Sequence, residues 1–228
     1  MQANENKSLT IEVDGVTYER YPIKTHVVTD ADDIRDVAEK YAKEHMQEGD
    51  LLFISEKCVA CTQKRAIPME DIKPRPLARL LCKFVYKSPY GIGLSIPQTM
   101  EMALRECGTV KILFAAFCSA VGKLFGKRGI FYDIAGEKAK SIDGPCDCTI
   151  PPYNHYVVLG PENPDEVALS IKERIGFDTL IVDINDLDGS ILGSSDSGLD
   201  RGLFARVLKD NPLGQSAQQT PMGIIRRV

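Results

Sequence analysis

Residues 179–202 read TLIVDINDLDGSILGSSDSGLDRG, and the parsing of this stretch decides how the rest of the chain is organised. Leu180, Ile181 and Val182 form a short apolar run rich in β-branched side chains, the pattern of a strand buried on both faces. Beyond it come Asp183, Asn185, Asp186 and Asp188, with Gly189 and Gly193 loosening the backbone. Carboxylates and an amide past the end of a buried strand make a cluster of hard oxygen donors. Such a cluster suits Mg²⁺ or Mn²⁺, ions that keep several waters and bridge to substrate phosphates. The same composition also serves as a plain solvated turn, because Asp, Asn and Gly tolerate tight backbone conformations. The choice between the two comes from the chain on either side.

The 228 residues are 43% hydrophobic and 26% charged, a globular balance rather than a disordered one. A net charge of −4 excludes nucleic-acid binding through the whole surface but leaves room for a local phosphate pocket. The first eight residues read as a frayed leader without an apolar signal core. The most apolar stretch, 112–121, is too short to span a bilayer, so a soluble, cytoplasmic protein without a membrane partner is expected. The count of seven cysteines is odd, which argues against a disulfide framework. Cys58, Cys61, Cys146 and Cys148 could supply four thiolates to zinc. The second pair lacks the usual two-residue gap, however, and buried structural cysteines are the simpler expectation.

Upstream, residues 9–13 and 16–21 alternate around Asp14-Gly15, a hairpin signature. Thr29 and Asp32 read as a capping pair before a helix carrying Ile34, Val37, Ala38 and Tyr41. Residues 51–54 read as a buried strand and 77–86 as a helix. A further helix starts at Pro97 behind a Ser95–Gln98 capping box and ends at Gly108. Residues 110–116 and 130–132 are expected as strands. Between them lies GKLFGKRG at 122–129, which is not a P-loop: its glycines enclose three residues, and Arg128 stands where Ser or Thr would hold magnesium. A basic glycine-rich turn can still offer N–H groups and cations to phosphate, or be an ordinary surface helix end. Residues 156–159 read as a strand, and Asn163-Pro164 opens a helix that Gly176 closes. A last amphipathic helix carries Leu199 to Leu208, and residues 214–228 follow as a tail. With hairpin and crossover signals both present and no linker or repeat, the chain reads as one α+β domain over 1–228, with mixed sheets, packed helices and room for two lobes.

The order of these motifs resembles the coenzyme F420-0:L-glutamate ligases, or γ-glutamyl ligases. The resemblance is carried by residues 22–25, the Asp32-Asp33 pair, EGDLLFISEK at 48–57, Ala135-Gly136, Pro151-Pro152 and, above all, residues 180–185. It implies a two-lobed subunit working as a homodimer. It also implies GTP with Mg²⁺ or Mn²⁺ as the means of joining L-glutamate to a carboxylate acceptor, with coenzyme F420-0 the first acceptor to expect. By the resemblance Asp183 and Lys57 are catalytic. Asp183, Asp186 and Asp133 are metal ligands, and Lys57, Arg65, Gly136, Lys123, Lys127 and Arg128 face the nucleotide. Where the family has Ser-Lys-Ala-Glu-Gly-Arg, this chain has Ala-Cys-Thr-Gln-Lys-Arg at 60–65. Ile134, Lys138 and Ile184 replace an expected asparagine, acid and threonine. These departures keep open a non-catalytic nucleotide- or metabolite-binding protein on the same scaffold.

Overall fold

The computed structural model describes residues 2–85, 92–127, 129–186 and 189–228. The strands are β1 (Thr10–Val13), β2 (Val16–Ile23), β3 (Leu51–Ser55), β4 (Ala66–Pro68), β5 (Tyr156–Val158), β6 (Asp178–Ile184), β7 (Gly189–Ser194) and β8 (Met222–Arg227). The α-helices are α1 (Ile34–Tyr41), α2 (Glu56–Thr62), α3 (Pro76–Leu81), α4 (Pro97–Glu106), α5 (Thr109–Leu124), α6 (Ile130–Ala135), α7 (Glu137–Lys140), α8 (Pro164–Ile175) and α9 (Arg201–Val207). The fold is α+β, and the chain divides into two compact units, residues 1–64 with 161–228 and residues 65–160.

The first unit is built on a six-stranded sheet in the order β1-β2-β8-β3-β6-β7. The hairpin β1–β2 closes through Asp14 and Gly15, both at positive φ (53° and 76°), as a two-residue turn between twisted strands demands. Successive residues of a strand face opposite sides of the sheet. Leu52, Ile54 and Ile181 accordingly pack with Ile34, Val37 and Ala38 of α1 and Ala168 and Ile171 of α8. Phe53, Leu180 and Val182 pack on the other face with Phe204 and Val207 of α9. That two-sided burial is why these strands read as unbroken apolar runs.

The tail contains the main surprise of this unit, because β8 lies between β2 and β3, antiparallel to both. Gly223 permits the fit: a Cβ there would sit 2.6 Å from Phe53 Cζ and 2.8 Å from the Tyr21 carbonyl oxygen. The N-terminal segment is anchored beside it, with Asn4 Nδ2 donating to the carbonyls of Pro212 and Leu213 and to Thr220 Oγ1, each at 2.9 Å.

The second unit packs α3 to α7 around the two-stranded β4–β5 sheet, with Leu94, Met100, Leu104, Ile112 and Val157 at its centre. Two expected strands are helices here. Residues 110–116 belong to the sixteen-residue α5, and residues 130–132 open α6. A short apolar run does not distinguish a strand from a helix. Here the run continues at helical spacing, with Ile112, Ala115 and Gly122 buried on one side. The helix expected over 77–86 is α3 followed by a 3₁₀ turn at Cys82–Phe84, and residue 86 lies outside the described residues.

Two caps also differ from expectation. Asp33, not Thr29, caps α1 by accepting from the Arg35 N–H, while Thr29 and Asp32 close a separate turn upstream. Ile96 stands at the N-cap of α4, because Ser95 Oγ donates to the Ile92 carbonyl instead.

Candidate functional site

In the first unit the candidate side chains sit where two strands end together. β3 and β6 run parallel, in register from Leu51 opposite Asp178 to Ser55 opposite Val182. Parallel neighbours finish at the same sheet edge, and ligands of open α/β sheets collect beyond such carboxyl ends. Lys57 lies two residues past Ser55, exposed in the first turn of α2. Asp183 lies one residue past Val182 and is half-buried. It is not in the loop where the sequence reading put it: β6 runs on to Ile184, and Asp183 pairs with Ser190 of β7. Asp183 is therefore part of the antiparallel β6–β7 ladder.

Glu56, which follows the apolar run 51–54, carries no signal of burial in the sequence. It opens α2 and is only 4% exposed, next in line to the Ser55–Val182 pair. A buried acid at a strand's carboxyl end is a signal that only burial reveals. Asp186 is exposed, and its Oδ1 accepts from Lys7 Nζ at 2.7 Å and from Asn211 Nδ2 at 3.3 Å. Asp188 lies outside the described residues.

Among the described residues no three of His, Cys, Asp and Glu converge where a metal could be held. A divalent ion at Asp183 would thus draw one or two carboxylates from the protein and its other ligands from water and substrate phosphates. Mg²⁺ accepts that arrangement.

The remaining candidates belong to the second unit. Arg65 is mostly buried. Its guanidinium donates to Glu106 Oε2 and the Gly160 carbonyl, both at 2.5 Å. Lys123 and Lys127 are exposed at the end of α5. The N–H groups of Phe125, Gly126 and Lys127 bond to the carbonyls of Gly122 and Lys123. What this turn offers an anion is its ammonium groups, because the backbone N–H groups close the helix. Arg128 lies outside the described residues. Asp133 is exposed in α6, and Gly136 joins α6 to α7. A Cβ on Gly136 would lie 3.3 Å from Lys111 Nζ, which brings Lys111 to the Ala-Gly turn. Reading residues 110–116 as a strand concealed that approach.

The cysteines fall into separate places. Cys146 and Cys148 are bonded to each other, a disulfide the sequence reading did not anticipate. Cys58 and Cys61 are buried in α2, and burial drives the Cys58 thiol pKa far upward, so it stays protonated. His26 is engaged structurally, its Nδ1 2.9 Å from Tyr41 Oη and its Nε2 2.9 Å from Asp32 Oδ1.

With this geometry in place, residues 22–202 match the profile of F420-0:Gamma-glutamyl ligase, a span that takes in both strand ends and all of the second unit. The chain belongs to the F420-0:gamma-glutamyl ligase family. It is accordingly an enzyme of ligase type, and the α+β fold is the one this family uses. Among curated proteins, the coenzyme F420:L-glutamate ligase of Methanopyrus kandleri is 25% identical over 250 residues, covering 95% of this chain and 87% of that protein. Of the segment 60–65 that departs from the family's Ser-Lys-Ala-Glu-Gly-Arg, residues 60–62 end α2, where Ala60 and Cys61 are buried. Small apolar side chains in place of Ser and Lys therefore serve packing at those positions. No single helix among the described residues is long and apolar enough to cross a membrane.

Proposed function

We propose that this chain is a GTP- and divalent-metal-dependent ligase that adds L-glutamate to a carboxylate acceptor, with coenzyme F420-0 the first acceptor to test. A carboxylate is a poor acyl donor. In this scheme its oxygen attacks the γ-phosphorus of GTP, and GDP leaves with the electron pair of the broken P–O bond. The amine of L-glutamate then adds to the acyl phosphate carbon. Phosphate departs, and the proton lost by nitrogen passes to water. Bound Mg²⁺ or Mn²⁺ would neutralise charge on the phosphoryl oxygens.

The observation that carries the reading is the approach of Lys57 and Asp183 to one sheet edge, at the ends of the parallel strands β3 and β6. Asp183, helped by Asp186, holds the metal in this scheme, and the Lys57 ammonium faces phosphate oxygens. Lys123, Lys127, Arg128 and Arg65 are the further nucleotide-contact candidates that the family resemblance offers; within the second unit Arg65 pairs with Glu106. Asp133 is the remaining candidate metal ligand, beside the turn at Gly136.

We further infer that the working form is a homodimer joined through α5. Val110, Leu113, Phe117, Val121 and Leu124 recur along this helix at three- and four-residue intervals, Phe114 flanks them, and all six side chains reach solvent. Such a stripe, with Phe84 and Phe125 also exposed, exceeds the scattered apolar surface of an ordinary monomer. Its spacing suits packing against a second copy of the same helix.

The test is phosphate release from GTP, measured with and without L-glutamate and F420-0. Release that needs both, and that falls at least 100-fold in Lys57→Ala, supports the scheme. Nucleotide binding without turnover on any carboxylate would favour the non-catalytic alternative. No nucleotide binding under any metal condition would end the reading.

A further inference from the structure

Glu101 sits in α4 with its side chain only 2% exposed, and a carboxylate so deeply buried must be paired or pay a large desolvation cost. It is paired twice. Its Oε1 accepts from Arg75 Nε at 3.0 Å and from Arg105 Nε at 2.9 Å. Its Oε2 accepts from Arg75 Nε and from the Arg75 backbone N–H, each at 3.1 Å. Burial raises the Glu101 pKa, but the backbone N–H of Arg75 and the two guanidinium bonds outweigh it and hold the group ionised.

The mode of pairing is the informative part. One arginine presenting two N–H groups would have satisfied this carboxylate. Instead two guanidinium groups each spend only their Nε–H on it. Neither forms a bond through Nη1 or Nη2 to any described residue, which leaves four of the five N–H donors on each guanidinium uncommitted. Both side chains are about half exposed, 47% and 48%. Because both Nε atoms lie within 3.0 Å of Glu101 Oε1, they are at most about 6 Å apart, so the two guanidinium groups are neighbours and an oxyanion would be met by their Nη–H donors. The net charge of the trio is positive.

We propose that Arg75 and Arg105, held by Glu101, form an oxyanion-binding clamp in the second unit for a phosphate or carboxylate group of a small ligand. Glu101 is a positioning residue: it fixes both forks before the anion arrives, so little side-chain entropy is lost on binding. The clamp shares no residue with the Lys57–Asp183 set and does not depend on the ligase scheme.

The test is side-chain ¹⁵N NMR of the arginine Nε–Hε groups in the full chain, titrated separately with inorganic pyrophosphate and with L-glutamate. Arg75→Lys and Arg105→Lys assign the two resonances and keep a cation beside Glu101, so that the fold is retained. Both resonances should shift saturably with at least one anion, and each Lys variant should weaken that binding about tenfold by removing the fork. A response to pyrophosphate alone identifies a phosphate subsite, and one to L-glutamate alone a carboxylate subsite. Immobile resonances with both anions, or unchanged affinity in both Lys variants, would overturn the clamp. Because neither arginine belongs to the metal–nucleotide set, failure here leaves GTP turnover as a separate measurement.

Discussion

Replacing Phe114 and Phe117 together by serine is the sharpest perturbation of the proposed dimer. These side chains are 58% and 66% exposed. At roughly 200 Å² per phenylalanine, they leave about 250 Å² for a partner to cover. At about 25 cal/mol per Å² that area is worth about 6 kcal/mol on each protomer. An isologous interface uses the same patch twice, but part of the gain offsets the entropy of association. The dimer should therefore weaken by at least about 1000-fold. The fold should hold, because neither ring belongs to the core of the second unit, and surface changes of this kind stay within about 0.5 kcal/mol. Sedimentation equilibrium of wild type and double variant, with thermal unfolding as a control, makes the measurement. A wild-type chain that is monomeric across the micromolar range would refute the reasoning. So would a folded double variant that dimerises as tightly as wild type.

Asp183→Asn should abolish Mn²⁺-dependent nucleotide binding by calorimetry while thermal unfolding stays cooperative, and unchanged Mn²⁺ affinity would remove Asp183 from the metal site. Gly223→Ala should cost about 1–3 kcal/mol in urea unfolding, because its methyl would meet Phe53 and the Tyr21 carbonyl; a neutral result would mean that β8 can shift freely. Acid should destabilise the chain through Asp32, Asp33 and Glu101, whose pKa values are all lowered. Asp32 and Glu101 are lowered by hydrogen bonds that outweigh burial, and Asp33 chiefly by its bond from Arg35. Their stabilisation is complete above the unfolded carboxylate range, near 4, and is lost as pH falls through the depressed folded values. Stability that did not fall between about pH 4 and pH 2 would contradict those pairings.

Local chemistry made much of this protein readable in one dimension. Asp14-Gly15 can form only a tight turn between its two strands. Pro164 and Gly176 bracket α8 as their backbone preferences dictate. Residues 51–54 and 180–182 are uniformly apolar because helices cover both faces of their sheet. The motif order carried the family, and with it the candidates Lys57 and Asp183. Three things were beyond the reach of sequence pattern. Whether residues 110–116 form a strand or a helix depends on the packing of Ile112 and Ala115 into the core of the second unit, which the short apolar run does not itself specify. The tail became a central strand because β2 and β3 left a gap whose width Gly223 matches, and no local propensity encodes a gap. Likewise the pairing of Arg75 and Arg105 on Glu101, and the burial of Glu56 at the start of α2, are products of tertiary packing. Sequence spacing sets which residues share an element. Which elements meet, and hence which charges are stripped of water and must find partners, is decided only when the chain closes on itself.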